Sequence, residues 1–306
     1  MISNGFIVNP DSRLLPTYRI SPFDNHAALI NRGLSDNFAF DQYFTKRFKA
    51  YNWGYTLSGR SALKLALDSL KLSKSDTITI LTTSSNFYIS SCVTSQIEDF
   101  CLWNRSINDQ TKAILVNHEF GFPFEDLRGL KKYGLPIIED CAHSFLSQNE
   151  ENSVGSVGDF LIFSLPKYFP IQIGGIFCSH EPISNKIVAL PAEEMHYIRN
   201  ALGYYLPSIS QFAFDRRKNF DYYTSLFSAN GYLPRFEMKT HHIPGVYIFK
   251  LFDYQDGQGL KDHLWKNGIE SSVFYKENSV YIPVHHRLNQ GDMDCMYEIT
   301  SKFLNQ

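Results

Sequence analysis

The stretch most informative about the fold of this chain is LPIIEDCAHS, residues 135–144. An apolar run followed at once by two carboxylates is typical of a buried parallel strand that ends in a polar loop. Ligands of open α/β sheets bind beyond the carboxyl ends of the strands. Asp140 could therefore hold a cationic ring nitrogen, with His143 stacked on or hydrogen-bonded to the same ring. The alternative is an ordinary helix start with Asp140 as its N-cap, and the segment alone leaves both open.

Short apolar strands and helical stretches alternate on both sides of this segment. Strands are predicted over 77–81, 100–103, 113–116, 136–139, 160–164 and 176–179. Helices are predicted over 41–51, 61–72, 87–95 and 127–133. Because alternating strands and helices form a largely parallel sheet covered on both faces, the predicted class is α/β.

Length and breaker residues predict two domains. Residues 1–40 are loop-rich, and 193–230 are mostly helical with breaks at Gly203 and Pro207. The pattern then changes to a smaller α+β unit, so we predict a large domain over 1–232 and a small one over 233–306. The elements expected in the small domain are strands at 246–252 and 273–275 and helices at 259–267 and 293–304.

Composition narrows the function classes. The 306 residues are 43% hydrophobic and 15% aromatic, which is enough apolar material for a large core. A formal charge of -2 argues against a dedicated nucleic-acid binder. No apolar run approaches the roughly 20 residues that cross a bilayer, and the first residues lack the pattern of a secretory signal. We therefore expect a cytoplasmic protein without a membrane partner.

The cysteine and histidine patterns of the sequence argue against a disulfide framework and a metal site. Five scattered cysteines, odd in number, argue against a disulfide framework and a zinc site. The pairs His241–His242 and His285–His286 have no Cys or acidic partner at a helpful spacing, so no metal is predicted. His285 could instead lie near a substrate.

Residues 57–63, LSGRSAL, place a glycine and two serines where a loop enters a helix. The free N–H groups of a helix N-terminus suit a phosphate, and Arg60 could add a forked cation. The alternative is a helix capped by Ser58 or Ser61.

Residues 158–167, GDFLIFSLPK, place Lys167 just after an apolar strand, and the Gly174-Gly175 pair precedes the next strand. A lysine in a partly desolvated site loses proton affinity and becomes a nucleophile. The alternative is an ordinary surface lysine.

In this order and spacing the three segments resemble the DegT/DnrJ/EryC1/StrS family, the fold-type-I pyridoxal-phosphate (PLP)-dependent sugar-nucleotide aminotransferases. The family's Ser-Gly-Thr-x-Ala-Leu loop is similar to 58–63. Its Pro-Val-Ile-Glu-Asp-x-Ala-(His/Gln) segment is similar to 136–143, and its Gly-Ser-x-Gly-Asp…Phe-Ser…Lys…Gly-Gly segment to 155–175. The resemblance implies a PLP-transferase fold of type I, a homodimer and PLP as cofactor. It also implies transfer of an amino group from glutamate to a nucleotide-linked keto sugar, for polysaccharide or amino-sugar biosynthesis.

The resemblance also implies a role for individual residues. Lys167 would bind the cofactor covalently and move the substrate proton, Asp140 would bind the pyridine nitrogen, and His143 would lie near the ring. An aromatic residue of the segment 86–88, most simply Phe87, would stack on the ring. The residues that would hold the phosphate are Gly59, Arg60, Ser61 and Ser164.

The chain departs from the family pattern at three places. Arg60 stands where the family usually has threonine. The spacing from Ser164 to Lys167 is two residues shorter than usual, and a gap placed after Lys167 would put Phe169 at the lysine position. The region after Pro191 is tens of residues shorter, and in the family it helps to form the dimer and reaches the neighbouring active site. Candidates for that role here are Arg199 and Asn200.

These departures leave two alternatives beside the aminotransferase. One is a PLP- or PMP-dependent sugar dehydratase of the same fold, although such relatives commonly replace the lysine with histidine. The other is a shortened, non-catalytic family member that binds a ligand or a partner.

Overall fold

The computed structural model describes residues 16–183, 190–274 and 277–305. The α-helices of these ranges are α1 (Asn25–Arg32), α2 (Ala39–Arg47), α3 (Gly59–Leu70), α4 (Ser91–Glu98), α5 (Ala192–Tyr205), α6 (Ile209–Ser228), α7 (Gly257–Lys266) and α8 (Gln290–Leu304). The strands are β1 (Asn52–Thr56), β2 (Thr77–Thr82), β3 (Leu102–Asn104), β4 (Thr111–Asn117), β5 (Ile137–Asp140), β6 (Phe160–Ser164), β7 (Gly175–Ser179), β8 (Val246–Lys250), β9 (Ser272–Phe274) and β10 (Ser279–Pro283). None of the helices in these ranges has the length and apolar character needed to cross a lipid bilayer.

Seven strands form the large sheet in the order β1-β7-β6-β5-β4-β2-β3. The pairs from β3 through β6 are parallel, whereas β7 runs antiparallel to β6 and β1 antiparallel to β7. The sheet is therefore mostly parallel, and the predicted α/β class is confirmed. Parallel pairing also brings the carboxyl ends of β2, β4, β5 and β6 to one edge, where polar residues can meet.

Both faces of the large sheet are covered, because successive side chains of a strand point to opposite faces. Ile138 and Ile162 pack in one apolar cluster with α3 and α4. Ile137 and Leu161, their chain neighbours, pack in another cluster with α2 and α5. Full burial of such a side chain stabilises the fold by about 1.5–3 kcal/mol, so this alternation fixes the register of the strands.

The small sheet has the order β8-β10-β9, with both pairs antiparallel. Its apolar residues form a separate cluster with side chains of α6, α7 and α8. The N-terminal part of the described chain joins this unit, because Tyr18 N–H donates to the Gly268 carbonyl at 2.9 Å. The predicted domain boundary near residue 232 stays a prediction.

Several element boundaries differ from the prediction. The helix expected at 87–95 begins only at Ser91, because the Ser90 side chain caps it by accepting from Cys92 N–H. Residues 1–40, expected to be loop-rich, contain α1, whose first turn is capped by Asp24. Residues 1–15 and Tyr275, in the predicted strand 273–275, lie outside the described residues.

The break expected in the stretch 193–230 falls at one proline. Pro207 lies in a short 3-10 turn, Leu206–Ser208, between α5 and α6. Proline lacks the N–H that would continue the helical ladder, which explains the interruption. The break predicted at Gly203 is wrong, since this glycine lies inside α5.

Candidate active site

A cavity of about 240 Å³ lies at the carboxyl ends of the parallel strands. The residues predicted from sequence that line it are Gly59, Arg60, Asp140, His143, Ser164 and Lys167. Two other predicted residues, Ser61 and Phe87, do not belong to the lining. Folding thus brings together residues from all three segments that the sequence singled out.

Asp140 is the last residue of β5 and is only 3% exposed. Its Oδ1 accepts from Ala142 N–H at 3.0 Å and its Oδ2 from the Asn117 amide at 2.8 Å. Burial raises the pKa of the carboxyl above its ordinary value, although these hydrogen bonds and the charge of Lys167 oppose the shift. A buried carboxylate of this kind would be stabilised by a cationic partner.

Lys167 ends the short 3-10 turn Leu165–Lys167 that follows β6. Burial lowers the pKa of its ammonium group, and the negative charges of Glu270 and Asp140 oppose this shift. A lowered pKa increases the fraction of neutral amine at neutral pH, and the neutral amine is the nucleophilic form.

The structure distinguishes the two alignments of the lysine. Lys167 lines the cavity, whereas Phe169 is fully buried in the core. The Phe169 ring lies edge-on to Phe40 and Phe145, with centroids 5.8 and 5.5 Å away. In this fold the side chain available to a ligand is therefore Lys167, despite the shortened turn.

The N-terminus of α3 forms one end of the cavity. Ser58 caps the helix by accepting from Ser61 N–H at 3.1 Å, and the two serine hydroxyls are 3.1 Å apart. Arg60 is exposed and Gly59 lies against Ser164, where a Cβ would be 3.0 Å from the serine Cβ. Capping therefore uses the Ser61 N–H, the Ser61 hydroxyl pairs with that of Ser58, and the first-turn N–H groups of Gly59 and Arg60 remain for an anion.

The Gly174-Gly175 pair joins the lysine turn to this helix start. Gly174 has φ +129, a conformation that side chains rarely adopt. Its N–H donates to the Leu57 carbonyl at 2.8 Å, and its carbonyl accepts from Leu165 N–H at 3.1 Å. The loop before α3 and the turn that contains Lys167 are therefore both hydrogen-bonded to Gly174.

His143 lies beside Phe120 in the lining, with ring centroids 4.6 Å apart. Burial holds the pKa of the imidazole well below its ordinary value, and the charges of Lys167 and Arg216 act in the same direction. Its Nδ1 has no hydrogen-bond partner in the described part of the chain. Burial therefore favours the neutral ring, and its Nδ1 is available to a ligand as far as the described residues show.

The aromatic residue next to the cavity is Tyr88 rather than Phe87. Phe87 is 55% exposed, and the neighbouring Tyr88 lines the cavity. The Tyr88 ring packs against Phe274, with centroids 4.7 Å apart. Sequence reasoning chose between adjacent residues of a loop, where no periodicity indicates which side chain points inward.

Sequence reasoning missed other lining residues, which follow β2 or lie at or after the last residue of β4: Cys92, Asn117, Glu119 and Phe120. A signal was available, because β4 ends next to β5 in a parallel sheet and its carboxyl end must reach the same edge.

Glu139, the first carboxylate of the Glu139-Asp140 pair, binds backbone N–H groups. Glu139 Oε1 accepts from the N–H groups of Val157 and Gly158 at 2.9 and 2.6 Å, and Oε2 accepts from Gly155 N–H at 2.7 Å. Burial alone would raise the pKa of Glu139, but these bonds and the neighbouring His118 lower it overall. Glu139 thus fixes the loop before β6, and Asp140 is left to face the cavity.

Arg199 and Asn200, the candidates for a contact with a neighbouring active site, do not line the cavity. Arg199 Nε pairs with Asp41 at 2.9 Å, and Asn200 accepts from Asn37 N–H at 3.1 Å, so both join α5 to the segment around α2.

His285, which the sequence placed near a substrate, is 7% exposed and does not belong to the lining of the cavity. Its Nδ1 accepts from Arg287 N–H.

The histidine pair 241–242 gains an acidic neighbour in the fold. Ligand atoms of Glu125, His241 and His242 lie within 4.8 Å of one another. The Glu125 carboxylate is already bound to Lys239 Nζ at 2.9 Å. A cation in this position competes with a metal ion, so the group does not form a prepared metal site.

The residues of the cavity fit pyridoxal phosphate. Asp140 suits a protonated pyridine nitrogen, and the Lys167 amine suits an aldehyde carbon. Ser164 and the first turn of α3 suit the phosphate. The fit depends on the donor set and on the buried, raised-pKa carboxyl of Asp140.

A sequence profile of the DegT/DnrJ/EryC1/StrS aminotransferase family matches residues 29–190. A UDP-N-acetyl-3-dehydro-alpha-D-glucosamine 3-aminotransferase of Acidithiobacillus ferrooxidans is 25% identical over 259 residues, which cover 71% of this chain and 68% of the relative. A GDP-perosamine synthase of Escherichia coli O157:H7 is 29% identical over 180 residues, 50% of this chain and 49% of the relative. The aminotransferase TlmJ of Streptoalloteichus hindustanus has the same fold, with a TM-score of 0.72 at 14% identity over 94% of this chain and 99% of that structure.

Proposed function

The chain belongs to the DegT/DnrJ/EryC1/StrS aminotransferase family, and we propose that it is a PLP-dependent enzyme that aminates a nucleotide-linked keto sugar. We propose glutamate as the amino donor and polysaccharide or amino-sugar biosynthesis as the setting. The observation that supports this most is that Lys167 and Asp140 line one cavity. The sugar-nucleotide names of the two curated relatives support the substrate class.

The bound cofactor supplies an electron sink that stabilises negative charge on the substrate carbon carrying the amino group. Asp140 would hold the ring nitrogen in its protonated form, because its carboxylate is buried and fixed by Asn117 and Ala142. The Lys167 amine would take the proton from the substrate carbon that carries the amino group and would deliver it to the aldehyde carbon of the cofactor, two bonds away. Its lowered pKa suits it to both directions of transfer near neutral pH.

Each phosphate contact has a separate physical basis. The α3 N-terminus offers N–H groups and the positive end of the helix dipole. Arg60 adds a permanent charge where the family usually has a hydroxyl. Because Arg60 is exposed, salt screens the contribution of its charge, and the backbone N–H groups of the first turn provide the geometry.

We also propose that the protein is a cytoplasmic homodimer with a domain boundary near residue 232. Three exposed apolar side chains, one on each of α1, α5 and α6, support a subunit contact. They are Leu29 at 70%, Tyr204 at 48% and Phe214 at 61% exposure. Multi-angle light scattering of the purified protein tests the homodimer, and a monomer at all concentrations would contradict it.

The experiment that tests the function begins with covalent binding of PLP. The wild-type protein should acquire the visible absorbance of a lysine-bound cofactor, and borohydride should trap it on the peptide that contains Lys167. Lys167→Ala should lose both signals. Lys64→Ala changes an exposed lysine of α3 and should keep them. Unchanged trapping in Lys167→Ala would disprove the lysine assignment.

Addition of glutamate then separates the remaining alternatives. An aminotransferase should lose the visible band and release 2-oxoglutarate in one equivalent per site. A non-catalytic binding protein should keep the band. A dehydratase should consume the sugar without incorporating nitrogen from labelled glutamate.

A further inference from the structure

Arg216 of α6 is a fully buried cation directly behind the cavity. Its Nη2 donates to the Lys167 carbonyl at 2.6 Å. Its Nη1 donates to the carbonyls of Pro244 and Gly245 at 3.1 and 3.4 Å. The relative exposure of the residue is 0%, so these contacts are shielded from water.

The same guanidinium supports a second residue of the turn. Its Cζ lies 4.8 Å from the centroid of the Tyr168 ring. The Tyr168 hydroxyl in turn donates a short hydrogen bond to the His143 backbone carbonyl. Arg216 therefore contacts the backbone of Lys167 and the side chain that holds the backbone of His143, and both of those residues line the cavity.

Such a residue is costly for the fold. The described residues that contact Arg216 include no carboxylate, and its Nε has no hydrogen-bond partner in the described ranges. Burial lowers the pKa of the guanidinium to about 10. Burying a charge without an anionic partner is unfavourable, so simple packing does not explain an arginine here. Three carbonyls that face one forked donor do explain it.

We propose that Arg216 is a positioning residue of the cofactor site, which fixes the Lys167 turn so that the lysine amine faces the cavity. It acts through the backbone and does not touch the cofactor. This inference rests on the proposed function, because it assigns Lys167 as the lysine that binds PLP. Other contacts hold the two ends of this 3-10 turn, through the Leu165–Gly174 hydrogen bond and the buried Phe169 ring, whereas Arg216 holds the carbonyl of Lys167 itself.

The chain provides a matched control in the next residue. Arg217 also donates to three backbone carbonyls, those of Lys239, Thr240 and His242, at 2.6, 3.1 and 2.7 Å. These carbonyls belong to the segment 239–242 and not to the lysine turn. Loss of Arg217 therefore removes a similar set of bonds without a contact to Lys167.

The experiment compares Arg216→Met, Arg216→Lys and Arg217→Met with wild type. The first measurement uses protein without cofactor, in which mass spectrometry follows acetylation of Lys167 by acetic anhydride as a function of pH. The second is the rate at which added PLP becomes trappable by borohydride. A displaced amine should slow attachment roughly tenfold or more in Arg216→Met. Arg216→Lys, which keeps the charge but has a single donor nitrogen in place of the fork, should recover part of the rate, and Arg217→Met should match wild type.

The outcomes separate the two proposals. If wild type attaches PLP at Lys167 and Arg216→Met does so at the same rate with the same acetylation profile, the positioning role is wrong and the function stands. If wild type never attaches PLP, the function fails, but an acetylation profile changed only by the Arg216 variants still supports the positioning role. If Arg216→Met does not fold, Arg216→Lys decides, and attachment at the wild-type rate in that variant overturns the inference.

Discussion

The side-chain amide of Asn117 donates a 2.8 Å hydrogen bond to Oδ2 of Asp140. The two residues end neighbouring parallel strands and lie opposite each other in the register of β4 and β5. Ala142 N–H holds the other carboxylate oxygen at 3.0 Å. The carboxylate is therefore oriented before any ligand arrives, which lowers the cost of binding a cationic ring nitrogen.

Asp140→Asn should weaken the site without unfolding the protein. The amide keeps the size of the side chain but loses the charge that stabilises a protonated ring nitrogen. Loss of a charge-assisted hydrogen bond should slow the half-reaction with glutamate by about tenfold to hundredfold. Stopped-flow absorbance of the PLP-loaded protein measures this rate.

Asp159→Asn is the control for Asp140→Asn. Asp159 also binds a backbone N–H, that of Ile137 at 2.8 Å, but at the opposite end of β5. Its half-reaction should match wild type. Equal rates for all three proteins would mean that Asp140 does not act on the cofactor.

Gly175→Ala should disturb the phosphate end of the cavity. A Cβ at this position would lie 2.4 Å from the Ser58 carbonyl carbon and 2.5 Å from its oxygen, so the loop before α3 must move. We expect a loss of about 1–3 kcal/mol in the free energy of unfolding and weaker PLP binding. Gly33→Ala, where nothing lies within 4 Å, should keep or slightly raise stability. Urea unfolding and PLP titration measure the two effects, and wild-type values for Gly175→Ala would contradict the close approach.

Tyr88→Leu and Phe87→Leu distinguish the two aromatic candidates. Tyr88 lines the cavity, so loss of its ring should weaken PLP binding by about 1 kcal/mol, or roughly fivefold in Kd. Phe87 is largely exposed, so its replacement should have little effect. Equilibrium titration with PLP provides both constants. A larger effect at Phe87 would restore the choice made from sequence.

Glu270→Gln should shift the pH dependence of PLP attachment to lower pH. Burial lowers the pKa of Lys167, and the charges that oppose this are those of Glu270, then Asp140 and Cys92. Removing the Glu270 charge removes part of that opposition, so the pKa of Lys167 should fall further. The neutral amine then forms at lower pH, and the attachment rate should reach its plateau earlier on the pH scale.

The structure makes this substitution conservative. Glu270 Oε2 accepts from Ile20 N–H at 2.8 Å, and a glutamine oxygen can accept the same bond. Glu298→Gln, an exposed residue of α8, is the control and should leave the profile unchanged. A shift toward higher pH in Glu270→Gln would contradict the electrostatic explanation. Burial also keeps the pKa of His143 well below its ordinary value, and the positive charges of Lys167 and Arg216 act in the same direction.

Local sequence predicted the elements whose pattern is complete within a few residues. The apolar run before Asp140 and the one before Lys167 both form buried strands, and they pair in parallel. Pro207 ends a helix because it lacks an N–H. The loop residues 86–90 were harder, because a helix starts where a cap is made, and the Ser90 cap became visible only in the structure.

By itself the sequence determined the α/β class, the family and the order of the three segments that meet at the strand ends. Tertiary structure decided that Lys167 and not Phe169 reaches the cavity, that Tyr88 is the inward aromatic, and that Glu139 is committed to backbone N–H groups. The reason is physical. A strand or a cap depends on neighbours along the chain, whereas the direction and the proton affinity of a side chain depend on groups such as Glu270 and Arg216, which only folding brings near.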